Sequence, residues 1–483
     1  MKLFPIRGGI HPDYHKELSG ECAIETLPLP AHLYLPVQQH IGAPAEILVS
    51  EGETVKKGQL IARRQGQISA PHHAPTSGTV IAVTEVPAPH PSGLSQLTIV
   101  LEPDGRDEWV TTLPEPIADP FAVPAEVLAE RVADCGIVGM GGATFPSAVK
   151  LQLGIRHRID TLLINGAECE PYLTCDDRLM REHADEIIDG ARIMAYALGA
   201  GRIVVGIEEN KPQAIAAITV AATAFPQIEI AALPVKYPMG SERHLTLAIT
   251  GLETPARKLT ADLGVVVHNV ATARAIHQAV RFGRPLITRV VTVSGEGIRT
   301  PKNIEAPIGT QVNDLIAFCG GFAQRPERII QGGPMMGTPL PNLDVPVVKG
   351  TSGILALTAA EINDRPSDPC IRCGSCVNIC ACGLTPVELA ARIRHDDLEG
   401  AITLGLLDCV SCGSCSWVCP SHIPLVHYFN YAKGALAAQD REQRKLERTK
   451  TLVEANTARQ ERLAAQRAAA RKPKAAPGGE VSA

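Results

Sequence analysis

Short apolar runs broken by glycine-bearing turns fill the first hundred residues. Ile47-Leu48-Val49 leads through Gly52 and Gly58 to Leu60-Ile61, and the stretch Ala74–Val83 carries a second such signal around Gly78. β-Branched runs separated by glycine turns predict hairpins, and hence a small β-domain over residues 1–110. A Pro-rich stretch, 111–124, reads as a linker. From 125 to 285 apolar strands alternate with helical stretches. Thr161-Leu162-Leu163-Ile164 and Arg202–Ile207 read as buried strands of a parallel sheet, with one helix over 178–199 between them. Residues 286–345 return to short strands and glycine turns (Val290–Gly295, then Gly332-Gly333-Pro334) and predict a second small β-rich module. Residues 360–435 carry clustered cysteines between helical segments, with Thr385-Pro386 as a helix start. The stretch 436–483 is rich in Ala, Arg, Glu, Lys and Gln, with few apolar residues to dock it, and predicts a charged tail, helical or disordered. The fold class is therefore multidomain α/β.

The first β-domain resembles the barrel-sandwich fold of biotinyl and lipoyl carriers. Those carriers present a modified lysine on a tight turn, but residues 63–73 contain no Lys. A structural or docking role is expected here instead of a swinging arm.

Composition narrows the function classes. Aromatics are 4 % of the chain and the net charge is −5, so neither stacking platforms nor a basic field for nucleic acid is present. No run of about 18 apolar residues appears, so no span of a bilayer is expected. The start, Met1–Gly9, breaks before an apolar core forms, and no secretory leader is expected. The tail's surplus of Arg and Lys suits an anionic lipid surface or an acidic partner, although a solvated face is the plainer reading.

Eight of the 14 cysteines fall into two runs. Cys370-x2-Cys373-x2-Cys376-x3-Cys380 is repeated as Cys409-x2-Cys412-x2-Cys415-x3-Cys419, the latter followed by Pro420. This is ferredoxin spacing: three close thiolates wrap one [4Fe–4S] cubane, and the fourth reaches the other cluster. Cys370, Cys373, Cys376 and Cys419 are assigned to one cluster, and Cys380, Cys409, Cys412 and Cys415 to the second. Structural zinc takes four ligands, and two complete sets of four with this spacing argue against it. Ala381 stands where the second run has Pro420, and Cys382 lies just beyond as a bystander. Thiols used this way imply a reducing compartment.

Clusters carry single electrons, so a donor of electron pairs needs a converter. Gly139-Met140-Gly141-Gly142-Ala143-Thr144-Phe145-Pro146 places bare N–H groups ahead of a helix start, with Lys150 beyond, as a phosphate site requires. Asn165-Gly166-Ala167-Glu168-Cys169-Glu170 follows the strand at 161–164, at the end of a sheet where open α/β folds bind ligands. Taken alone, the first is often a tight turn and the second an ordinary polar loop.

Together these segments resemble the NADH-binding flavoprotein subunit of complex I, with its GRGGAGFP…K loop and NADE-x-EP segment. More closely they resemble the C-subunit family of ion-translocating electron-transport (Rnf/Rsx) complexes. Gly8-Gly9-Ile10-His11-Pro12, Tyr237–Glu242, Ala261–Thr272, Gly309-Thr310 and Cys319-Gly320-Gly321 fit the same family, in order, over residues 1–435. The resemblance implies an FMN and NADH site at Gly139, Gly141, Gly142, Phe145, Lys150, Asn165, Glu168, Glu170, Tyr237, Gly240, Glu242, Asn269 and Thr272. Met140, Thr144, Ala167 and Ser241 depart from the family pattern. It also implies a Rossmann-like flavin domain over 125–285, an SLBB (β-grasp) module over 286–345 and a ferredoxin-type domain over 360–435.

The function it implies is that of a peripheral subunit on the cytoplasmic face of the inner membrane. Electrons would pass between NADH, through FMN, and a ferredoxin-type subunit or membrane subunits through two [4Fe–4S] clusters, coupled to ion transport. No side-chain acid or base is required for hydride transfer, so no catalytic residue is nominated. A second reading is an electron-conducting adaptor with a degenerate flavin site, and a third is a free-standing soluble dehydrogenase.

Overall fold

In the computed structural model, residues 2–89 and 92–470 are described. The N-terminal β-unit consists of two antiparallel sheets. One has the order Leu33–Pro36, Ser95–Pro103, Gly78–Pro87, Thr54–Val55, and the other the order Glu46–Ile47, Leu60–Arg63, His72–His73. Leu33, Leu35, Ile61, Val80, Ile99 and Leu101 close the space between them. Leu33 and Leu35 flank the half-buried Tyr34 in the period of two of a strand packed on one face, whereas Thr98–Leu101 is buried without alternation.

The α/β unit has four parallel strands in the order Ile228–Leu233, Arg202–Glu208, Thr161–Gly166, Val265–Asn269. Leu162 pairs with Ile203 on one side and Val266 on the other, so the strand at 161 is central and buried on both faces. The helix expected over 178–199 is two helices, Cys175–Glu182 and Ala184–Leu198, separated at His183. His183 leaves helical geometry (φ −131°), and its Nδ1 bonds Glu186 at 3.1 Å, in the first turn of the second helix. An apolar period continues across such a joint, which is why the sequence reads as one element.

The β-rich module beyond residue 286 is larger than the stretch 286–345. Its sheet has the order Glu25–Thr26, Lys302–Pro307, Thr288–Ser294, Gly353–Leu357, Arg328–Gln331, Thr338–Pro339. Gly353–Leu357 is buried throughout, a short apolar run without alternation, and it lies inside the sheet. Glu25–Thr26 crosses from the N-terminal unit to pair beside Ile304. Both corrections involve partners distant in sequence, which local pattern does not display.

The cysteine-rich unit is helical: Ser375–Asn378, Pro386–Arg394, Leu398–Thr403, Ser414–Trp417 and the long helix Leu425–Ala470. Leu389, Ile393, Ala401, Leu406, Leu425 and Phe429 form its own core. The long helix leaves that core after Leu436, and its residues from Gln439 to Arg467 are exposed. The tail's last residues, 471–483, lie outside the described residues. No helix among the described residues is long and apolar enough to cross a membrane.

Candidate functional site

The glycine-rich segment forms a closed loop. Gly139 N–H donates to Phe145 O at 2.8 Å, and Val138 bridges Pro146. Met140 N–H donates to Thr272 Oγ1 (2.9 Å), and Arg289 Nη2 holds Met140 O (2.8 Å). Between these anchors the N–H groups of Gly141, Gly142 and Ala143 have no protein acceptor among the described residues, and all three residues are exposed. Gly142 sits at φ +105°, outside the range of ordinary side chains, and a Cβ on Gly141 would lie 3.3 Å from that of Asn269. Such a row of free donors suits an anion.

Of the remaining predicted residues, Thr272 and Asn269 lie against the loop, and many of the others already have structural partners elsewhere. Asn165 Nδ2 donates to Gly240 O (2.8 Å), and Gly240 N–H donates to Cys169 Sγ (3.3 Å), which fixes the end of the central strand to the 237–242 segment. Asn269 caps the helix Val270–Phe282 through Ala271 N–H (2.8 Å) and donates to Asp176 Oδ2 (2.6 Å). Lys150 Nζ is taken up by Glu242 Oε2 and Val267 O, both at 3.0 Å, while Thr260 donates to the other Glu242 oxygen (2.6 Å).

Glu168 turns inward. Its side chain is 3 % exposed, and its two oxygens accept the N–H groups of Asp176 (2.7 Å) and Asp177 (3.3 Å), at the start of the helix Cys175–Glu182. Burial pushes its carboxyl up to about 8 despite the nearby Lys16 ammonium. Glu170 Oε2 accepts Met335 N–H (3.0 Å), and its Oε1 is buried without a partner among the described residues. Burial raises it to about 7 against the opposing N–H bonds of Met335 and Met336. A Cβ on Gly333 would lie 2.2 Å from Glu170 Oε2, so only glycine lets that loop approach.

Sequence reasoning missed the residues that hold this loop. Lys16 Nζ donates to the carbonyls of Glu168 (2.8 Å), Glu170 (3.1 Å) and Leu173 (2.6 Å), gathering a segment in which Glu168 and Tyr172 both have positive φ. Lys211, 1 % exposed, does the same from beneath through Ala167 O (2.8 Å) and Glu208 (3.1 Å). Neither lies in a motif. The one available signal is the pairing of Glu208 with Lys211 at the end of a buried strand.

In the cysteine unit the two runs fold alike. Arg372 and Ser411 each adopt φ +55°, and Gly374 and Gly413 adopt φ +77° and +80°. In each run the N–H of the left-handed residue points at the first thiol: Arg372 to Cys370 Sγ (3.4 Å) and Ser411 to Cys409 Sγ (3.3 Å). The second thiol of each lies 3.4 Å from a serine hydroxyl, Cys373 by Ser375 and Cys412 by Ser414. Cys380, Cys409, Cys412 and Cys415 converge on one cavity, and Cys382 also lines it. Burial first, then the facing thiols of Cys412, Cys409 and Cys380, push Cys415 up to about 12. Cys376 is raised by burial and then by Cys419 and Cys370, which groups those three thiols. Cys370 and Cys373 are exposed.

The two regions share a wall. Tyr237, 1 % exposed, donates its hydroxyl to Cys412 O at 2.7 Å and packs with Ile10, Cys169, Met335 and Ile379. Gly9 N–H reaches Ile379 O (2.9 Å), His244 meets Ala381 O (3.1 Å), and Arg243 pairs with Asp408 (3.1 Å).

Comparisons with known proteins agree with this anatomy. Residues 4–106 match the RnfC barrel sandwich hybrid domain, 132–278 the Nuo51 FMN-binding domain, and 290–339 the SLBB domain. Among solved structures, an NAD+-reducing [NiFe]-hydrogenase in the H2-reduced state is loosely similar, with TM-score 0.46, 21 % identity, and coverage of 68 % of this chain and 64 % of that one. Among curated proteins, the C subunit of the ion-translocating oxidoreductase complex of Rhodobacter capsulatus is 57 % identical over 92 % of this chain and 85 % of its own length. Its namesake from Serratia proteamaculans is 42 % identical over 95 % of this chain and 65 % of its own. The C subunit of the proton-translocating ferredoxin:NAD(+) oxidoreductase complex of Clostridium ljungdahlii is 45 % identical over 92 % and 96 %. With a barrel-sandwich unit, a flavin-type α/β unit and an SLBB module in the same order, the chain belongs to the family of ion-translocating oxidoreductase complex C subunits.

Proposed function

We propose that this chain is the peripheral electron-carrying subunit of an ion-translocating oxidoreductase complex, on the cytoplasmic side of the inner membrane. It passes electrons between NADH and ferredoxin-type or membrane subunits. The exposed loop N–H groups of Gly141, Gly142 and Ala143 would hold the phosphate of FMN. Asn165 and Gly240 fix the wall beside it. When bound, FMN supplies the conversion between a hydride pair and single electrons. Cys380, Cys409, Cys412 and Cys415 would hold one [4Fe–4S] cluster, and Cys370, Cys373, Cys376 and Cys419 the other, their N–H and hydroxyl neighbours steadying the sulfurs.

The observation that carries this reading is the hydrogen bond from Tyr237 to Cys412 O, because it joins the flavin-type segment directly to a thiolate run. On this reading the set containing Cys412 is the inner one. The set with exposed Cys370 and Cys373 then faces the next carrier. Iron, sulfide and flavin analysis of anaerobically purified protein tests it: two cubanes and one FMN are expected, whereas zinc or absent sulfide overturns the assignment. Two observations favour an adaptor without flavin: Lys150 is bound to Glu242, and Glu168 caps a helix. Full cluster content without releasable FMN would select that second reading.

A further inference from the structure

The first cysteine run is followed by a further thiol, and the second is not. Two residues after Cys380 stands Cys382, whereas two residues after Cys419 stands Ser421. Ser421 is 5 % exposed, and its hydroxyl donates to Pro369 O (3.0 Å). Cys382 instead lines the cavity on which Cys380, Cys409, Cys412 and Cys415 converge. Five thiols therefore face a space where one cubane takes four.

The Cys382 sulfur is turned toward that space. Burial raises its thiol most, the Val410 N–H opposes the rise, and the Cys380, Cys409 and Cys412 thiols add to it, up to about 12. All three of those thiols belong to the inner set, and the N–H comes from the second run. Cys380 has an N–H neighbour of its own, that of Leu384 at 3.3 Å. Both sulfurs thus have the kind of donor that steadies a cluster thiolate, as Cys370 and Cys409 do.

The backbone around them has room to shift. Pro420 locks its own φ directly after Cys419, whereas Ala381 after Cys380 leaves that angle free. Gly383 follows at φ +66°, and the nearest heavy atom to a Cβ placed there is Arg7 Nη1, at 3.8 Å. Cys409, Cys412 and Cys415 are placed by the turn of their own run. Cys380 is the one member of the inner set that arrives from the first run, and Cys382 arrives from the same side.

We propose that Cys382 is a fifth ligand thiol of the inner cluster, able to replace Cys380 on the same iron. The inference rests on the assignment of a [4Fe–4S] cluster to this set. In the exchange, Cys382 Sγ gives its proton to Cys380 Sγ as the iron–sulfur bond to Cys380 breaks and one to Cys382 forms, and no electron moves. The inner site keeps four thiolates when Cys380 is lost. The outer set has Ser421 at the matching place.

Iron and acid-labile sulfide, measured on anaerobically purified full-length chains, test it. The unaltered protein holds about two cubanes, and Cys380→Ala and Cys382→Ala each keep that content. Cys380→Ala/Cys382→Ala loses about half of its iron and sulfide, because the outer cluster stays. Should Cys380→Ala fail to fold, the EPR spectrum of the dithionite-reduced protein decides the matter in a milder pair: Cys380→Ser keeps the signal of the unaltered protein, and Cys380→Ser/Cys382→Ala does not. Equal content in Cys380→Ala and the double variant, equal spectra in the serine pair, or loss of the inner cluster from Cys382→Ala alone overturns the proposal. Absence of two cubanes from the unaltered protein overturns the cluster assignment itself, and the proposal with it.

Discussion

The glycine-loop region and the cysteine unit both carry proposed redox cofactors, but they are built by different means. In the cysteine unit the local chain does nearly everything. Spacing, a left-handed residue and a glycine recur in each run, and each run points an N–H and a hydroxyl at its own thiols. In the glycine-loop region the decisive bonds come from afar, with Lys16, Lys211 and Arg289 holding carbonyls of segments remote in sequence. A site encoded by spacing survives distant change, whereas a site encoded by tertiary contacts depends on every element that supplies one.

The largest expected effect tests the first half of that contrast. Cys412→Ala and Cys373→Ala should each remove one cubane's worth of iron and sulfide and leave the other cluster and the flavin in place. Loss of all iron in either variant would mean that the runs do not assemble separately. Next comes Gly141→Val. Its added Cβ meets that of Asn269 at 3.3 Å, and the larger side chain crowds the open donors, so flavin retention should be abolished with iron unchanged. Normal flavin content would remove the loop from the cofactor site.

These variants also show how far the sequence could be read. The two cysteine runs were legible because ligand spacing is a local property. The strands Thr161–Gly166 and Arg202–Glu208 were legible because a doubly buried strand is a continuous apolar run. The individual duties around the glycine loop were not. Glu168 looks like a polar ligand in its motif but caps a helix, and Lys150 looks like a phosphate partner but is bound by Glu242. Motif position gives the neighbourhood of a side chain, and only tertiary packing decides which atom it faces. Lys16 lies about 150 residues before the carbonyls it gathers, beyond any local pattern.

A smaller effect separates the glycine-loop region, by the sign of its pH dependence, from the place where buried Lys349 Nζ donates to Pro71 O and Gly136 O, both at 2.7 Å. Burial, aided by the Lys349 charge, holds His73 down to about 3. The unfolded chain therefore takes up a proton near pH 6.5 that the folded chain refuses, and stability is lost as pH falls from about 6.5 toward 3. Glu170 runs the other way: raised to about 7, it takes a proton in the folded chain first, so stability is gained as pH falls from about 7 to 4.5. In urea unfolding followed by circular dichroism, His73→Leu should flatten the loss of midpoint between pH 7.5 and 5, and Glu170→Gln should steepen it. Variants that move the slope in the same direction would show that the two regions do not titrate as their burial demands.

The smallest effect is at the shared wall. Tyr237→Phe removes one hydroxyl and leaves Cys412 O without its donor, a cost of about 1–3 kcal/mol for a buried carbonyl. The ring still packs with Ile10, Met335 and Ile379, and Arg243–Asp408 still pins the same face. The variant should therefore keep its iron and flavin, and proteolysis of the exposed segment at 364–373 should quicken as docking loosens. If the cysteine unit is self-sufficient, the change stops there. Loss of one cubane from Tyr237→Phe would mean that the inner thiolates depend on a bond from the other region, and the contrast between a spacing-encoded and a contact-encoded site would fail where the two meet.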